Sequence, residues 1–180
     1  MPLLFRMTPF AVPTDLDILL KSRGYKKIDP TLVMALDLDD FDFPPIDVDL
    51  CTDCNLDAWL AAFCQLSGYD LGEHQIHREI LSRITAKSFF AKLHHNGQIV
   101  SCGLGVLDGD YFGLFDLVTA RKNRNQGFGT SLILEMLFMV REAGVRYAYL
   151  QVTRNNLAAR HLYEKLGFKE VYMYWYRVKG

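Results

Sequence analysis

The sequence has little net charge and no long apolar run. Its 20 lysines and arginines nearly balance 21 aspartates and glutamates, leaving a formal charge of −1. A chain of this kind lacks the general basic surface with which nucleic-acid binders neutralise phosphates. It also lacks the run of about 18 apolar residues that a transmembrane helix needs, and its first residues do not resemble a signal peptide. We therefore expect a cytoplasmic protein without a nucleic-acid or membrane partner.

Two phosphate-binding fingerprints are absent as well. The sequence contains neither G-x-G-x-x-G, which marks dinucleotide-binding folds, nor G-x-x-x-x-G-K-[ST], which marks nucleoside-triphosphate sites. These absences argue against a nicotinamide-dependent enzyme and against an ATPase or GTPase.

Cysteines are few, and their pattern is a poor match to a zinc site. Cys51 and Cys54 form a C-x-x-C, and His74 and His77 follow with gaps of 19 and two residues. Zinc fingers usually separate the two pairs by about a dozen residues and their histidines by three to five. We expect reduced thiols, no metal, and two histidines on a helix surface. A zinc or redox protein is the alternative.

Hydrophobic periodicity predicts helices and strands on both sides of an acidic break. Residues 37–53 carry seven aspartates around Pro44 and Pro45, which indicates either a solvated linker or a rim that attracts cations. Hairpin turns are predicted at Asn96-Gly97 and Asp108-Gly109. The predicted helices span residues 55–66, 74–84, 130–143 and about 156–166, and the predicted strands 88–93, 98–107, 111–119, 145–153 and 168–178. This order favours a mixed α/β fold with a mostly antiparallel sheet flanked by helices.

A glycine-containing loop follows the strand over residues 111–119. Residues 124–130 read R-N-Q-G-F-G-T and lead directly into the next helix. Unpaired backbone N–H groups at a helix start attract anions, and glycine lets a phosphate approach the backbone. The spacing therefore predicts an anion site.

Two motifs together resemble the GCN5-related N-acetyltransferases. The run R-x-x-G-x-G at residues 124–129 is followed about thirty residues later by N-x-x-A-x-x-L-Y-x-x-x-G-F, beginning at Asn156. The resemblance covers about residues 46–180, with residues 46–50 as a first strand. It implies the acyltransferase fold of that family, acetyl-CoA as cosubstrate, and a small-molecule or peptide amine as acceptor.

The resemblance also implies roles for individual residues. The loop backbone would bind the cofactor pyrophosphate, and the preceding strand would pair with the pantetheine arm and donate an N–H to the thioester oxygen. Tyr163 would protonate the leaving thiolate, although a tyrosine on an apolar helix face is usually a core residue. The implied cofactor-binding residues are Leu117, Val118, Thr119, Arg124, Asn125, Gln126, Gly127, Phe128, Gly129, Thr130 and Asn156.

The base that would deprotonate the amine is less well defined. Some relatives use an acid on the fifth strand, but the residue at that position is Gln151, which cannot accept a proton. Asp116 is the first candidate, ahead of Glu135, His74 and His77. Asp116 could instead only bond backbone at a bulge, and a water chain or an already neutral amine would need no base.

The first 44 residues resemble the strand-helix-strand at the C-terminus, with predicted strands over residues 4–8 and 31–38 and a helix that starts at Leu16 between them. We therefore expect a partial, non-catalytic N-terminal segment over residues 1–44 and a catalytic domain over residues 45–180, as in tandem-domain relatives, although any strand-helix-strand is generically similar. Leu20 stands where the second copy has Tyr163, so the segment cannot be another active site. Its open edges would dock within the chain or form a homodimer. The predicted function is N-acetyl transfer, and the alternative is a non-catalytic acyl-CoA sensor or protein-interaction module.

Overall fold

The computed structural model describes residues 3–45, 49–52 and 55–179, except for the side chain of Glu73. The helices are α1 (Leu16–Ser22), α2 (Leu56–Ser67), α3 (Gln75–Ser82), α4 (Phe128–Glu142) and α5 (Leu157–Lys165). The strands are β1 (Leu4–Met7), β2 (Lys26–Asp37), β3 (Asp49–Cys51), β4 (Lys87–His95), β5 (Gln98–Asp108), β6 (Tyr111–Thr119), β7 (Tyr147–Thr153) and β8 (Lys169–Val178). Short 3₁₀ turns cover Leu71–His74 and Arg121–Asn123.

The chain divides into two compact units. The first combines Met1–Leu36 with Tyr149–Gly180, and the second is Asp37–Ala148. Of the described helices, none is long and apolar enough to cross a membrane. The predicted first strand over residues 46–50 lies partly outside the described residues. Within them, β3 starts at Asp49.

In the first unit, β8 pairs antiparallel with both β1 and β2. The sequence placed the β2 strand over residues 31–38, but it begins at Lys26 and passes through Pro30. The register shifts between Ile28 and Thr31, and Asp29 has a φ of 48°. A bulge tolerates proline because it removes the need for a ladder N–H at that position. The predicted strand started only after Pro30, because a proline within a regular strand is unfavourable and the bulge was not predicted.

An ion pair between the buried Arg177 and the partly exposed Asp17 fastens α1 to β8. The Arg177 guanidinium donates through Nε to Asp17 Oδ1 at 2.8 Å and through Nη2 to Oδ2 at 2.8 Å. Trp175 Nε1 donates to the same carboxylate at 2.7 Å. These hydrogen bonds, led by those from Arg177, lower the pKa of Asp17 even though burial opposes the shift. The carboxylate is therefore stabilised in its charged form.

We expect Asp17→Ala to destabilise the fold by about 3 kcal/mol at pH 7, because Arg177 would stay buried without its partner. Unfolded aspartate titrates near pH 4, and the folded pKa of Asp17 lies lower. The stabilisation is thus complete above about pH 4 and is lost as the pH falls through the folded pKa. Urea unfolding at pH 7 and at pH 2.5 measures both effects.

Asp15→Ala is the matched control for this experiment. Asp15 lies at the N-cap of α1, is exposed, and makes no capping hydrogen bond with its side chain. Its substitution should change the free energy of unfolding by less than about 0.5 kcal/mol. Equal effects of the two substitutions would show that the Asp17 pair contributes no net stability.

In the second unit, antiparallel pairing joins β3 to β4, β4 to β5 and β5 to β6. The turn at Asn96-Gly97 is confirmed, with φ values of 52° and 71°. The second turn lies one residue later than predicted. Asp108 pairs with Tyr111, so the loop is Gly109-Asp110, because glycine supplies the positive φ at the first loop position.

Helix α2 is capped at both ends. The Asn55 side chain accepts a hydrogen bond from Ala58 N at 2.8 Å, and Gly68 ends the helix with a φ of 78°. The predicted helix over residues 74–84 is shorter, since residues before Gln75 form a 3₁₀ turn that Asp70 caps. Helix α4 begins two residues earlier than the predicted 130, at Phe128.

The core beneath α2 is built around Trp59, whose side chain is fully buried. Its indole Nε1 donates to the Gly103 carbonyl of β5 at 3.0 Å, and its ring stacks on Phe63 with centroids 5.4 Å apart. A buried indole needs such an acceptor. Trp59 therefore fixes α2 on β5. The residues packed in this core cluster are Trp59, Leu60, Cys64, Leu81, Cys102 and Leu104.

The start of the acidic segment packs on the second unit. Arg141 Nη1 of α4 donates to the Phe41 carbonyl at 3.3 Å, and the Phe43 ring contacts Phe138 edge-on at 5.6 Å. Arg146 Nε lies 3.0 Å from Asp39 Oδ2. Residues 37–43 are thus fixed by side-chain contacts, so this part of the segment is not a free linker.

Candidate functional site

The loop between β6 and α4 presents a row of backbone donors. Asn125 and Gly127 have φ values of 60° and 86°, and Gly127 is the N-cap of α4. Among the described residues, no acceptor is hydrogen-bonded to the backbone N–H of any residue from 125 to 130, and Ser131 N is the first to bond, to Gly127 O at 2.9 Å. Unpaired donors at the positive end of a helix form an anion site.

Side chains hold this loop in place without covering the donors. Arg124 Nε donates to Thr119 O at 3.3 Å, which ties the loop to the end of β6. Gln126 Nε2 donates to Lys122 O at 3.1 Å, and the Phe128 ring lies 4.9 Å from the His95 ring. Arg121, Lys122 and Arg124 make the segment cationic. The loop therefore combines fixed donors with positive charge.

Gly127 faces open space. A Cβ built at this position would meet no atom within 4 Å, so a ligand could approach the backbone there. A diphosphate needs several convergent N–H donors, and the loop offers them. The backbone from Asn125 to Thr130 therefore offers a site for a diphosphate group.

The strand before the loop contains a β-bulge. Phe115 pairs with Leu104 and Val118 with Cys102, so Asp116 and Leu117 together oppose Gly103. Asp116 adopts a φ of 48°, which is unusual for a residue other than glycine. After the bulge, Ser101 Oγ donates to Val118 O at 2.8 Å. The segment Leu117, Val118 and Thr119 is partly exposed.

The bulge brings the Asp116 carboxylate to α3. Its Oδ2 lies 2.9 Å from Nε2 of His77, whose Nδ1 lies 3.2 Å from Nδ1 of His74. The side chains of His77 and Asp116 are 23% and 30% exposed. The Phe63 ring contacts both histidines edge-on, at centroid distances of 5.6 and 5.9 Å.

These contacts correct one sequence-based interpretation. His74 and His77 are not helix-surface residues, because both are partly buried against Phe63. Asp116 does sit at a bulge, yet its carboxylate bonds a side chain there. Cys54 lies outside the described residues, and no group of His, Cys, Asp or Glu within them is arranged to hold a metal.

A profile of the Acetyltransferase (GNAT) family matches residues 53–168. The chain belongs to this family. The match includes the loop, β6, α3 and all of α5, and so covers both motifs that carried the resemblance.

Two curated proteins resemble this GNAT chain. It is 33% identical over 122 residues to an uncharacterized N-acetyltransferase of Bacillus subtilis, a match that covers 67% of this chain and 49% of the relative. It is 36% identical over 80 residues to a [ribosomal protein bS18]-alanine N-acetyltransferase of Haemophilus influenzae, covering 44% of this chain and 54% of the relative. The matches thus span about half the length of these relatives.

Solved structures share the fold. A GCN5-related N-acetyltransferase from Sphaerobacter thermophilus superposes with a TM-score of 0.73 at 20% identity, covering 99% of this chain and 60% of that one. A tandem GNAT protein from the clavulanic acid biosynthesis pathway gives 0.72 at 18% identity, covering 99% and 64%. The predicted mixed, mostly antiparallel fold is confirmed. The division at residue 44 and the tandem origin stay predictions.

In the first unit of this GNAT chain, α5 carries Asn156 and Tyr163. Asn156 is the N-cap, and its Oδ1 accepts from Ala159 N at 3.2 Å, which leaves its amide N–H₂ to donate. The Tyr163 side chain is 9% exposed and packs edge-on against Phe168. Burial raises the pKa of Tyr163 to about 12. The hydroxyl therefore keeps its proton throughout the neutral range.

The surroundings of Gln151, at the position of the base in some relatives, and of the candidate base Glu135 differ from those of Asp116. Gln151 Oε1 accepts a hydrogen bond from the Tyr174 hydroxyl at 2.6 Å, so this amide has a structural role in the first unit. Glu135 lies partly buried in the middle of α4. Of the four candidate bases, the structure joins Asp116, His77 and His74.

Proposed function

We propose that this protein transfers an acetyl group from acetyl-CoA to a primary amine, by direct attack of the amine on the thioester. The observation that carries the proposal is the row of unpaired backbone N–H groups from Asn125 to Thr130, at the start of α4. Two residues in this row, Asn125 and Gly127, have positive φ angles. Membership of the GNAT family supports the same reaction.

The chain would contribute binding and orientation, while acetyl-CoA supplies a thioester carbonyl that amines can attack. The loop backbone would bind the pyrophosphate, with Arg124 adding charge. We propose that the backbone of residues 117–119 orients the pantetheine arm and the thioester oxygen, and that Asn156 donates to the cofactor. An oxyanion donor of this kind commonly changes the rate by about 100-fold or more.

Proton transfers complete the proposed reaction. Tyr163 is proposed to protonate the departing thiolate, because its neutral hydroxyl is the form that can donate. Asp116 is proposed to take part in removing the proton from the attacking ammonium. An amine must lose a proton before its lone pair can attack a carbonyl.

The acceptor is proposed to be an amine of a peptide or of a small molecule. One curated relative is named for acetylating the alanine of ribosomal protein bS18, which makes a peptide beginning with alanine a reasonable first probe. A homodimer and a cytoplasmic location are parts of the proposal that a sedimentation experiment and cell fractionation would check.

A coenzyme A release assay tests the proposal. The purified chain is incubated with acetyl-CoA and with polyamines, amino acids, aminoglycosides or peptides, including one with an N-terminal alanine. A rate that saturates with one acceptor would support N-acetyl transfer. Binding of acetyl-CoA without release on any acceptor would instead favour an acyl-CoA sensor or interaction module.

We expect Gly127→Val to weaken coenzyme A binding by about tenfold or more, equivalent to about 1.4 kcal/mol. A β-branched residue is strained at a φ of 86°, so the loop would relax and its N–H groups would no longer converge. Isothermal titration calorimetry with coenzyme A measures the change.

Gly144→Val provides a matched control at the other end of α4. Gly144 has a φ of 85°, and a Cβ there also meets no atom within 4 Å. The two variants thus carry similar backbone strain, but only Gly127 lies in the proposed site. Equal coenzyme A affinities in the two variants would show that the loop is only a turn.

A further inference from the structure

Three titratable side chains form a hydrogen-bonded chain from β6 to the turn before α3. We propose that Asp116, His77 and His74 are a proton relay for the proposed acetyl transfer, and that Nε2 of His74 is the atom that accepts the proton of the acceptor ammonium. The inference rests on the proposed function. It assigns the base to a histidine at the end of the chain, with Asp116 and His77 as positioning residues.

The protonation of each nitrogen follows from the contacts. An ionised carboxylate only accepts hydrogen bonds, so His77 Nε2 must carry the proton at its 2.9 Å contact with Asp116. A neutral His77 then has a lone pair on Nδ1. The 3.2 Å contact requires a donor opposite that lone pair, which is the Nδ1–H of His74. Nε2 of a neutral His74 is therefore unprotonated.

The end of the chain is positioned to accept a proton. Within the described residues, no hydrogen bond involves Nε2 of His74, and the residue is only partly buried. In the proposed step, an N–H bond of the substrate ammonium breaks and an Nε2–H bond forms on His74. The amine keeps the electron pair with which it attacks the thioester carbonyl.

The positive charge that His74 gains can move to His77. His74, protonated on both nitrogens, can pass its Nδ1 proton to Nδ1 of His77. The resulting imidazolium forms an ion pair with the Asp116 carboxylate, whose Oδ2 lies 2.9 Å from Nε2 of His77. After turnover, His77 returns this proton to Nδ1 of His74, and His74 then releases its Nε2 proton to solvent. The relay thus returns to its starting state with no net change.

The surroundings hold the three groups in this order. Asp116 adopts its φ of 48° in the bulge, a backbone conformation that is sparsely populated for residues other than glycine. Phe63 packs its ring edge-on against both imidazoles, and Tyr69 lies 5.1 Å from His74. The rings therefore have little freedom to leave the chain.

Two aspartates among the described residues near the relay have hydrogen-bond partners of their own. On the adjoining faces of α2 and α3, Asp57 accepts from Arg78 Nε at 2.6 Å, and Asp70 accepts from Gly72 N in the 3₁₀ turn. The groups in direct contact with His77 are Asp116 from β6, His74 from the 3₁₀ turn and the uncharged Phe63 from α2. Substitutions in the relay leave the Asp57–Arg78 pair intact, so a change in the pH profile of these variants can be assigned to the relay.

Nitrogen-15 NMR of the histidine rings tests the proton arrangement without any substrate. We expect His77 with its proton on Nε2 and His74 with its proton on Nδ1, a tautomer that free histidine disfavours. Asp116→Asn keeps a residue that tolerates a positive φ, but it removes the carboxylate charge that faces the His77 imidazolium. Finding His74 protonated on Nε2 alone in the neutral wild-type protein would overturn the relay.

The kinetic test uses whichever amine gives a saturable rate in the coenzyme A release assay. His74→Gln should lower kcat/KM for that amine about 100-fold near pH 7, a common value for loss of a general base. The loss should shrink as the pH rises, because the amine then arrives deprotonated. The dissociation constant for acetyl-CoA should stay within twofold, and so should all values in the control His161→Gln, which alters an exposed histidine.

The outcomes separate the relay from the reaction. Wild-type turnover with an unaltered rate and pH profile in His74→Gln would overturn the relay and leave the proposed function standing. No turnover of the wild type with any amine would overturn the proposed function, and the catalytic role of the relay with it. A pH-dependent loss in His74→Gln that is shared by Asp116→Asn would support both.

Discussion

Tyr163→Phe is expected to lower the turnover number for acetyl transfer about 1,000-fold, within the usual range for loss of a proton donor. The substitution removes only the hydroxyl and leaves the ring against Phe168. Because burial raises the pKa of Tyr163 to about 12, the wild-type rate should show no alkaline loss from this group below about pH 11. Steady-state coenzyme A release from pH 6 to 10.5 measures both.

Binding distinguishes catalysis from packing at this position. Coenzyme A affinity in Tyr163→Phe should remain within twofold of the wild type, and thermal unfolding should be nearly unchanged. Tyr111→Phe, at an exposed tyrosine of β6, is the control and should keep the full rate. A Tyr163→Phe protein that turns over normally would make Tyr163 a core residue without a chemical role.

Trp59→Ala is expected to lower the free energy of unfolding by about 4 kcal/mol, as large-to-small changes in protein cores do. The indole is fully buried, so its removal leaves a cavity between α2 and β5. It also leaves the Gly103 carbonyl without the donor that now lies at 3.0 Å. Urea denaturation followed by circular dichroism measures the change.

Two further variants divide that effect. Trp59→Phe keeps an aromatic ring in the core but deletes the N–H, and it should cost about 1 to 3 kcal/mol. Leu71→Ala, at a side chain that is 51% exposed, should cost less than about 1 kcal/mol. A loss below about 1 kcal/mol for Trp59→Ala would contradict the anchoring role given to the indole.

Local signals in the sequence predicted much of the fold. Asn55 marks the start of α2, and Asn96-Gly97 marks a hairpin, because each depends on a cap or backbone angle set by one or two residues. The start of α4 was misplaced because Gly129 was interpreted as loop. Gly129 instead lies in the first helical turn, where an N–H needs no partner within the helix.

The candidate site was only half predictable. The anion loop depends on consecutive residues, and its place between β6 and α4 follows from the local pattern. The relay depends on a contact between residues 39 positions apart, His77 and Asp116. That contact requires the bulge in β6, which the sequence indicates only as an alternative in which Asp116 bonds backbone. The sequence therefore indicates Asp116, His77 and His74 as separate candidates but does not predict that they are in contact.

The bulge in β6 also changes how that strand alternates between its two faces. Phe115 and Val118 both pack against the core cluster under α2, although residues three apart in a regular strand point to opposite faces. The extra residue shifts the alternation by one position, so the strand has two segments that are out of phase. Deleting Leu117 would restore a single phase and turn Val118 and Thr119 over, while leaving the buried residues 112–114 as they are. The bulge therefore lets β6 keep both Phe115 and Val118 against the core while the Asp116 carboxylate between them reaches α3.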